Sequence, residues 1–330
     1  MSLIKLHKAS YEFNLEKIAS KAGGFNKLIC IFKDNAYGHG ARLLAPVAKE
    51  KGISFIAVKN EHEARELEDI FDSILILSHR PNANENPRFI YALNEPSKIN
   101  EYKKGTRIHL KIDTGMHRNG IYIEDLPEFY KIFKQKALQL EGAFTHFASA
   151  DELDGSFFVQ YKKFQEAKEL IRGLTRKQLL FHSYNSSALF RNPSFPQDEL
   201  CRVGLSQFGY TDESLKKVLH LYAHKLSQRT LKKGQSVGYG QSFSASKKLQ
   251  IATYDLGYAD GLLRYNGVGD LYLANGKKIL GRISMDSFSC EDGGEELCVF
   301  NDANIWAKFF QTIPYEILVK LHPQLPRILV

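Results

Sequence analysis

The stretch "KDNAYGHG" begins with Lys33, which closes the apolar run "LICIF". Taken alone, it is a surface lysine at a strand-to-loop junction. Taken as the last residue of a buried strand, it is an amine able to form a Schiff base with a carbonyl carbon. Other stretches add to it. Lys111 and Arg118 stand in "KIDTGMHRNG", His146 in "THFASADE", Asn185 and Ser186 in "NSSA", and Arg202, Gly204 and Leu205 in "RVGL". Guanidinium groups bind carboxylate and phosphate through fixed forks of donors. Imidazole changes charge near neutrality. No carboxylate pair of the kind that cleaves glycosides stands among these positions. Cys30, Cys201, Cys290 and Cys298 have no CxxC or Cys/His spacing, so no metal ligand set is expected.

These groups can act together only if elements far apart in the chain bring them to one place. Short apolar runs recur up to about residue 205: Leu28–Phe32, Ile53–Val58, Ile74–Leu77, Phe89–Leu93, Ile108–Ile112, Leu140–Phe144, Leu179–His182 and Cys201–Leu205. Several are apolar throughout, as in strands covered on both faces of a parallel sheet. Amphipathic stretches separate many of them. "NEHEARELEDIF" starts with an asparagine cap and acidic residues. "YIEDLPEFYKIFKQ" and "SFFVQYKKFQEAKELIRG" carry apolar residues at helical spacing. Strands alternating with helices predict an α/β fold, a (β/α)8 barrel spanning residues 10–215. The connection "SHRPNANENP" is rich in Pro and Asn and is expected to hold no more than a turn in place of a helix. From residue 216 to 330, alternating patterns and a hairpin signal at "ANGKK" predict a mostly-β domain. Residues 1–9 are expected to add a strand to it.

In such a barrel, functional groups gather at the C-terminal ends of the strands, and phosphate binds at the loops after the last two. Ser186 and Gly204 fall in those loops, Lys33 at the end of the first strand. An amine beside a phosphate cradle suggests a Schiff base with a phosphorylated aldehyde, and pyridoxal 5'-phosphate fits that description.

As an ordered set, "KDNAYGHG", "KIDTGMHRNGI", "THFASADE", "NSSA", "RVGL", "GYADG", "GRISMD" and "PYE" resemble the signature segments of bacterial alanine racemases, from residue 33 to 316. The resemblance implies a pyridoxal-phosphate barrel with a C-terminal β domain, working as a head-to-tail homodimer in which each subunit completes the other's active site. It implies that Lys33 carries the cofactor and acts as one base, and that Tyr239, in "VGYGQSF", is the opposite base at the partner's cofactor. Tyr37, Ser186, Gly204, Leu205 and Tyr315 would hold the phosphate, with Asn185 beside them. Arg118 would meet the phenolic oxygen of the cofactor and the substrate carboxylate. Arg202 would face the pyridine nitrogen, with His146 bonded to it. Tyr258, Met285 and Asp286 would line the substrate's approach. Lys111 matches a lysine that is carbamylated in some members. The implied reaction interconverts L- and D-alanine and so supplies D-alanine for peptidoglycan. A cation near Tyr239, either Arg202 or His146, would favour its phenolate. Asp34 departs from the small residue usual after the lysine.

Other readings are a racemase of broader specificity, for serine or lysine, and a non-catalytic pyridoxal-phosphate protein. A barrel decarboxylase would need an acidic residue where Arg202 stands. The net charge of +8 would suit nucleic acid, but the lysine pairs are scattered and match no such motif, so no nucleic-acid partner is expected. No apolar run is long enough to span a bilayer, and the N-terminus lacks a signal-peptide core, so a cytoplasmic protein is expected.

Overall fold

The computed structural model describes every residue except Asp151, Leu153, Asp154 and Arg176. The chain divides into two compact units: Glu12–Asp34 with Leu44–Lys216, and Met1–Tyr11 with Asn35–Leu43 and Lys217–Val330.

The strands, in chain order, begin with β1 (Leu3–Leu6), β2 (Leu28–Ile31), β3 (Phe55–Val58), β4 (Ser73–Ile76), β5 (Ile90–Leu93), β6 (Arg107–Lys111), β7 (Gln139–Phe144), β8 (Leu180–His182) and β9 (Cys201–Val203). Strands β2 to β9 form one parallel sheet, ordered β8-β7-β6-β5-β4-β3-β2-β9. Bridges Phe181↔Glu199 and Asn185↔Arg202 bring β8 against β9 and nearly close the barrel. β2, β3 and β5 are buried at every position, which is why their sequences lack the alternation of a one-sided strand.

Helices Ala41–Glu50, Glu61–Arg65, Leu126–Gln135 and Ser156–Leu174 fall in the amphipathic stretches. No helix joins β4 to β5. Pro81 and Pro87 withhold backbone donors there. Buried Glu85 organises the loop instead, accepting from Asn82 N–H at 2.9 Å, Lys103 N–H at 2.8 Å and the His79 ring at 2.9 Å.

The other unit is built on β10 (Leu219–Leu231), followed by β11 (Ser236–Val237), β12 (Phe243–Ser244), β13 (Leu249–Tyr254), β14 (Phe288–Glu291), β15 (Glu296–Phe300) and β16 (Arg327–Leu329). Its sheet runs β14-β13-β10-β1-β16, with β15 also paired to β10. β1 lies antiparallel to β10, Leu3 opposite Tyr222 and Leu6 opposite Leu219. Leu231, Ala245, Ile251 and Leu280 form a small apolar cluster beneath β10 and β13. Among the described residues, no helix is long and apolar enough to cross a membrane.

Candidate active site

Phe32 and Lys33 follow β2, and the chain then makes a turn of unusual hand. Asp34, Asn35, Ala36 and Tyr37 have φ of 52°, 53°, 54° and 53°. A left-handed turn of L-residues costs about 1–2 kcal/mol per residue, because each Cβ crowds the next carbonyl. Strain of this kind persists only where surrounding contacts hold it, and it clusters at functional sites. Here the Asp34 N–H donates to Glu63 Oε1 at 2.7 Å. The Asn35 side chain accepts from Ala41 N–H at 2.8 Å. Buried His39 donates from Nδ1 to the carbonyls of Ala36 and Tyr37, at 3.1 and 3.0 Å.

Arg202, on β9, is 5% exposed. Nη1 donates to His182 Nδ1 at 2.9 Å and to the His182 carbonyl at 2.5 Å. Nη2 donates to the carbonyls of Thr145 at 2.6 Å and Ser183 at 3.2 Å. His146 Nδ1 stands at 3.5 Å from Nη2, the weakest of these contacts. A guanidinium only donates, so His182 Nδ1 must accept, and its Nε2 carries the proton. That N–H donates to His109 Nδ1 at 2.8 Å. Burial, then the charges of Arg107 and Arg202, push His109 down to about 3. His182 is lowered well below its usual value by burial, Arg202 and His109. The two rings form a neutral column behind Arg202. Gly142 makes room for it: a Cβ there would lie 2.5 Å from the Leu180 carbonyl oxygen and 2.7 Å from His109 Cε1. In the sequence His182 is only the last residue of the run Leu179–His182, because closure of the barrel alone brings β8 beside β9.

His146 corrects one expectation. Burial lowers its pKa to about 3, helped by the charges of Arg202, Arg118, Lys111 and Lys33. It is therefore neutral at physiological pH and supplies no positive charge. Those four cations define the electrostatics of this strand-end face. Lys111, at the end of β6, is pushed down to about 8 by burial and by Arg118 and Arg202. Its amine bonds Asn119. Arg118 is exposed on a loop pinned by Asp113, whose carboxylate accepts from the N–H groups of Gly115, Met116 and His117 at 2.9, 3.1 and 3.1 Å.

After β8 and β9, Ser186 Oγ accepts from Gly204 N–H at 3.0 Å and meets Ser206 Oγ at 2.8 Å. Ser206 is fully buried and carries no sequence signal of its own. Leu205 is buried beside Gly204. The Asn185 side chain is engaged as a cap, accepting from Ala188 N–H at 2.9 Å. The barrel unit thus assembles Lys33, Lys111, Arg118, His146, Asn185, Ser186, Arg202, Gly204 and Leu205 at the ends of its strands. An amine, a cationic field and a serine–amide cradle suit an aldehyde that carries a phosphate.

The remaining residues lie in the β unit. Tyr37 and Tyr315 pack edge to face, ring centroids 5.7 Å apart. Gly38 permits the turn between them, since a Cβ there would lie 2.1 Å from the Leu318 carbonyl oxygen. Tyr239 is 66% exposed between Gly238 and Gly240, both at positive φ. It lines a cavity of about 430 Å³ with Thr253, Arg282, Ser284 and Ser289. Tyr258 N–H donates to the Ser284 carbonyl at 3.1 Å, and Ala259 N–H to that of Met285 at 2.9 Å, so Tyr258 and Met285 sit together, both exposed. Asp286 follows, also exposed. Among the described residues, no group of three or more His, Cys, Asp or Glu could hold a metal ion.

Comparison with known proteins extends over the whole chain. The alanine racemase N-terminal domain model matches residues 6–212, and the C-terminal domain model residues 218–329. An alanine racemase of Campylobacter jejuni is 64% identical over 330 residues, covering 100% of both chains. The crystal structure of a Bacillus anthracis alanine racemase with bound L-Ala-P superposes with a TM-score of 0.89 at 25% identity, over 100% of this chain and 95% of that one. A Bartonella henselae alanine racemase with covalently bound pyridoxal phosphate gives 0.86 at 25% identity, over 100% of this chain and 99% of the other.

Proposed function

The chain belongs to the alanine racemase family, and from that premise we propose that it interconverts L- and D-alanine in the cytoplasm, as a homodimer, with pyridoxal 5'-phosphate at the barrel mouth. The observation that carries this reading is Lys33, an amine projecting from a strained turn into the same cationic strand-end face as Arg202 and Arg118. The cofactor fits the donors present. Ser186 Oγ and the backbone of Gly204 and Leu205, with Asn185, would hold its phosphate, and Lys33 would hold its aldehyde carbon. When bound, it withdraws electrons from the substrate Cα and acidifies the Cα proton.

The chain's own residues then decide the stereochemistry. Lys33 moves the proton on one face, and the partner subunit's Tyr239 moves it on the other. Two bases on opposite faces give inversion by geometry alone, and each contributes about 10²–10⁴-fold. Ionising a phenol at neutral pH costs about 4 kcal/mol. Arg202 is the cation that offsets this cost, since His146 is neutral. Arg202 is held by four acceptor contacts and keeps its proton, so it would offer a hydrogen bond to the ring nitrogen without protonating it. That arrangement would limit charge delocalisation into the ring and restrain transamination.

Arg118 orients the substrate carboxylate. Tyr258, Met285 and Asp286 flank the partner's substrate approach. Lys111, with its lowered pKa, is the amine able to take up carbon dioxide and become a carbamate that would brace Arg118. The D-alanine formed would feed peptidoglycan. One experiment tests the reading. The purified protein with pyridoxal phosphate is incubated in D₂O with each L-amino acid, and α-deuteration and chiral products are followed. D-alanine should dominate; D-serine or D-lysine in its place would move the assignment to a broader racemase, and no α-exchange with any substrate would overturn it.

A further inference from the structure

Glu63 has no part in the function proposed above, yet its carboxylate reaches the left-handed turn that follows Lys33. It lies in the helix Glu61–Arg65, where Asn60 caps the Glu63 N–H at 3.1 Å. The side chain turns back toward the barrel. Oε1 accepts from Asp34 N–H and Oε2 from Lys59 N–H, both at 2.7 Å. Asp34 follows Lys33 just beyond β2, and Lys59 follows Val58 at the end of β3. One carboxylate therefore ties together the ends of two neighbouring strands.

The tie falls at the first residue of the left-handed turn, where φ is 52°. An N–H in that conformation can follow neither the parallel ladder nor a right-handed helix, so it needs an acceptor from elsewhere. Glu63 is half-buried and stands near a second carboxylate, Asp34, a combination that disfavours its charged form. Lys59 offsets this by pairing with Asp34 Oδ1 at 3.1 Å. Asp34, Lys59 and Glu63 thus make a closed charge set whose geometric output is the backbone next to Lys33.

We infer that Glu63 is a positioning residue for Lys33: its two hydrogen bonds hold the left-handed turn and fix the direction in which the lysine amine leaves the strand. Among the described residues of the barrel unit, Glu63 is the acceptor for the Asp34 N–H. The inference rests on Lys33 being the point of cofactor attachment, and the test separates the two ideas.

The apoprotein is mixed with pyridoxal phosphate, the attachment rate is followed by absorbance, and the product is fixed with borohydride and located by peptide mapping. Glu63→Gln keeps size and shape but replaces one acceptor by a donor. It should slow attachment at Lys33 about tenfold, the loss expected for one hydrogen bond to a charged group. Glu61→Gln, on the same helix, is the control. Its carboxylate accepts from the Tyr91 hydroxyl at 2.6 Å and does not touch the turn, so its rate should stay at the wild-type value. Adding Asp34→Gly to Glu63→Gln should recover most of the lost rate, because glycine adopts positive φ without a tether. A purely structural role for Glu63 would not be rescued in this way. An unchanged rate in Glu63→Gln, an equal loss in Glu61→Gln, or no recovery in the double variant would each overturn the inference. If the single variant fails to fold, recovery or its absence in the double variant decides. A label that maps away from Lys33 in the wild-type protein would sink the attachment reading itself, and this inference with it.

Discussion

Lys33 and Tyr239 are proposed as the two bases, and the molecule supports them in opposite ways. Lys33 is half-buried and continuous with a turn tethered by Glu63 and by its own Asn35 side chain. Tyr239 is two-thirds exposed, between two glycines that permit its loop but do not clamp it. The barrel base is preorganised by its own subunit. The phenol stands exposed on its loop. Rigidity is concentrated where the proposed covalent bond would be aimed, and exposure where the proposed second subunit would fit.

The sharpest way to break this contrast is to remove each base. Lys33→Ala should abolish cofactor attachment together with activity, as absorbance and racemisation assays would read. Tyr239→Phe should keep the attached cofactor and lose about 10²–10⁴-fold in kcat. If Tyr239→Phe racemises at the wild-type rate, the phenol is no base. Next in size is Arg202→Glu. A carboxylate in that place can share its proton with the ring nitrogen, so racemisation should fall and keto-acid formation rise, measured as pyruvate from alanine. An unchanged product ratio would remove Arg202 from its proposed place.

A smaller effect separates the barrel from bulk solvent. His109 and His146 titrate near 3 in the fold, and His182 well below its usual value, against about 6.5 in the unfolded chain. Between those values the unfolded state binds more protons, so stability falls as pH drops below about 6.5 and is flat above it. His109 and His146 should each cost about 1.4 kcal/mol by pH 5.5, and His182 acts in the same direction, visible as a lower urea midpoint. The smallest effect concerns Lys111. With a pKa of about 8, a sizeable share of its amine is neutral at physiological pH. Bicarbonate enriched in ¹³C should give a carbamate resonance that Lys111→Gln lacks, with activity changing only a few-fold.

Much of the barrel was legible because a strand covered on both faces has an almost uniformly apolar sequence. All eight expected runs contain a strand, with ends displaced by one or two residues, and "SHRPNANENP" contains no helix. The turn at Asp34–Tyr37 was not legible. Four consecutive non-glycine residues at positive φ contradict local preference, and only tertiary tethers such as Glu63 make the conformation affordable. Glu63 itself read as one more acid in a helix start. The His182–His109 column was hidden for another reason: its members stand on strands whose register with β9 is set by closure, which no spacing along the chain encodes. His146 read as charged because burial among four cations is a property of the assembled face and not of the motif "THFASADE".

Gly142 lies within β7 and has no side chain to offer a substrate, yet that missing side chain is what lets the imidazole column stand. A mutational map of this protein should therefore show an island of intolerance in the interior of β7, at a position with no chemistry to offer. A single added methyl would tilt the rings that brace Arg202, and the fault would reach the reacting centre as a misdirected guanidinium.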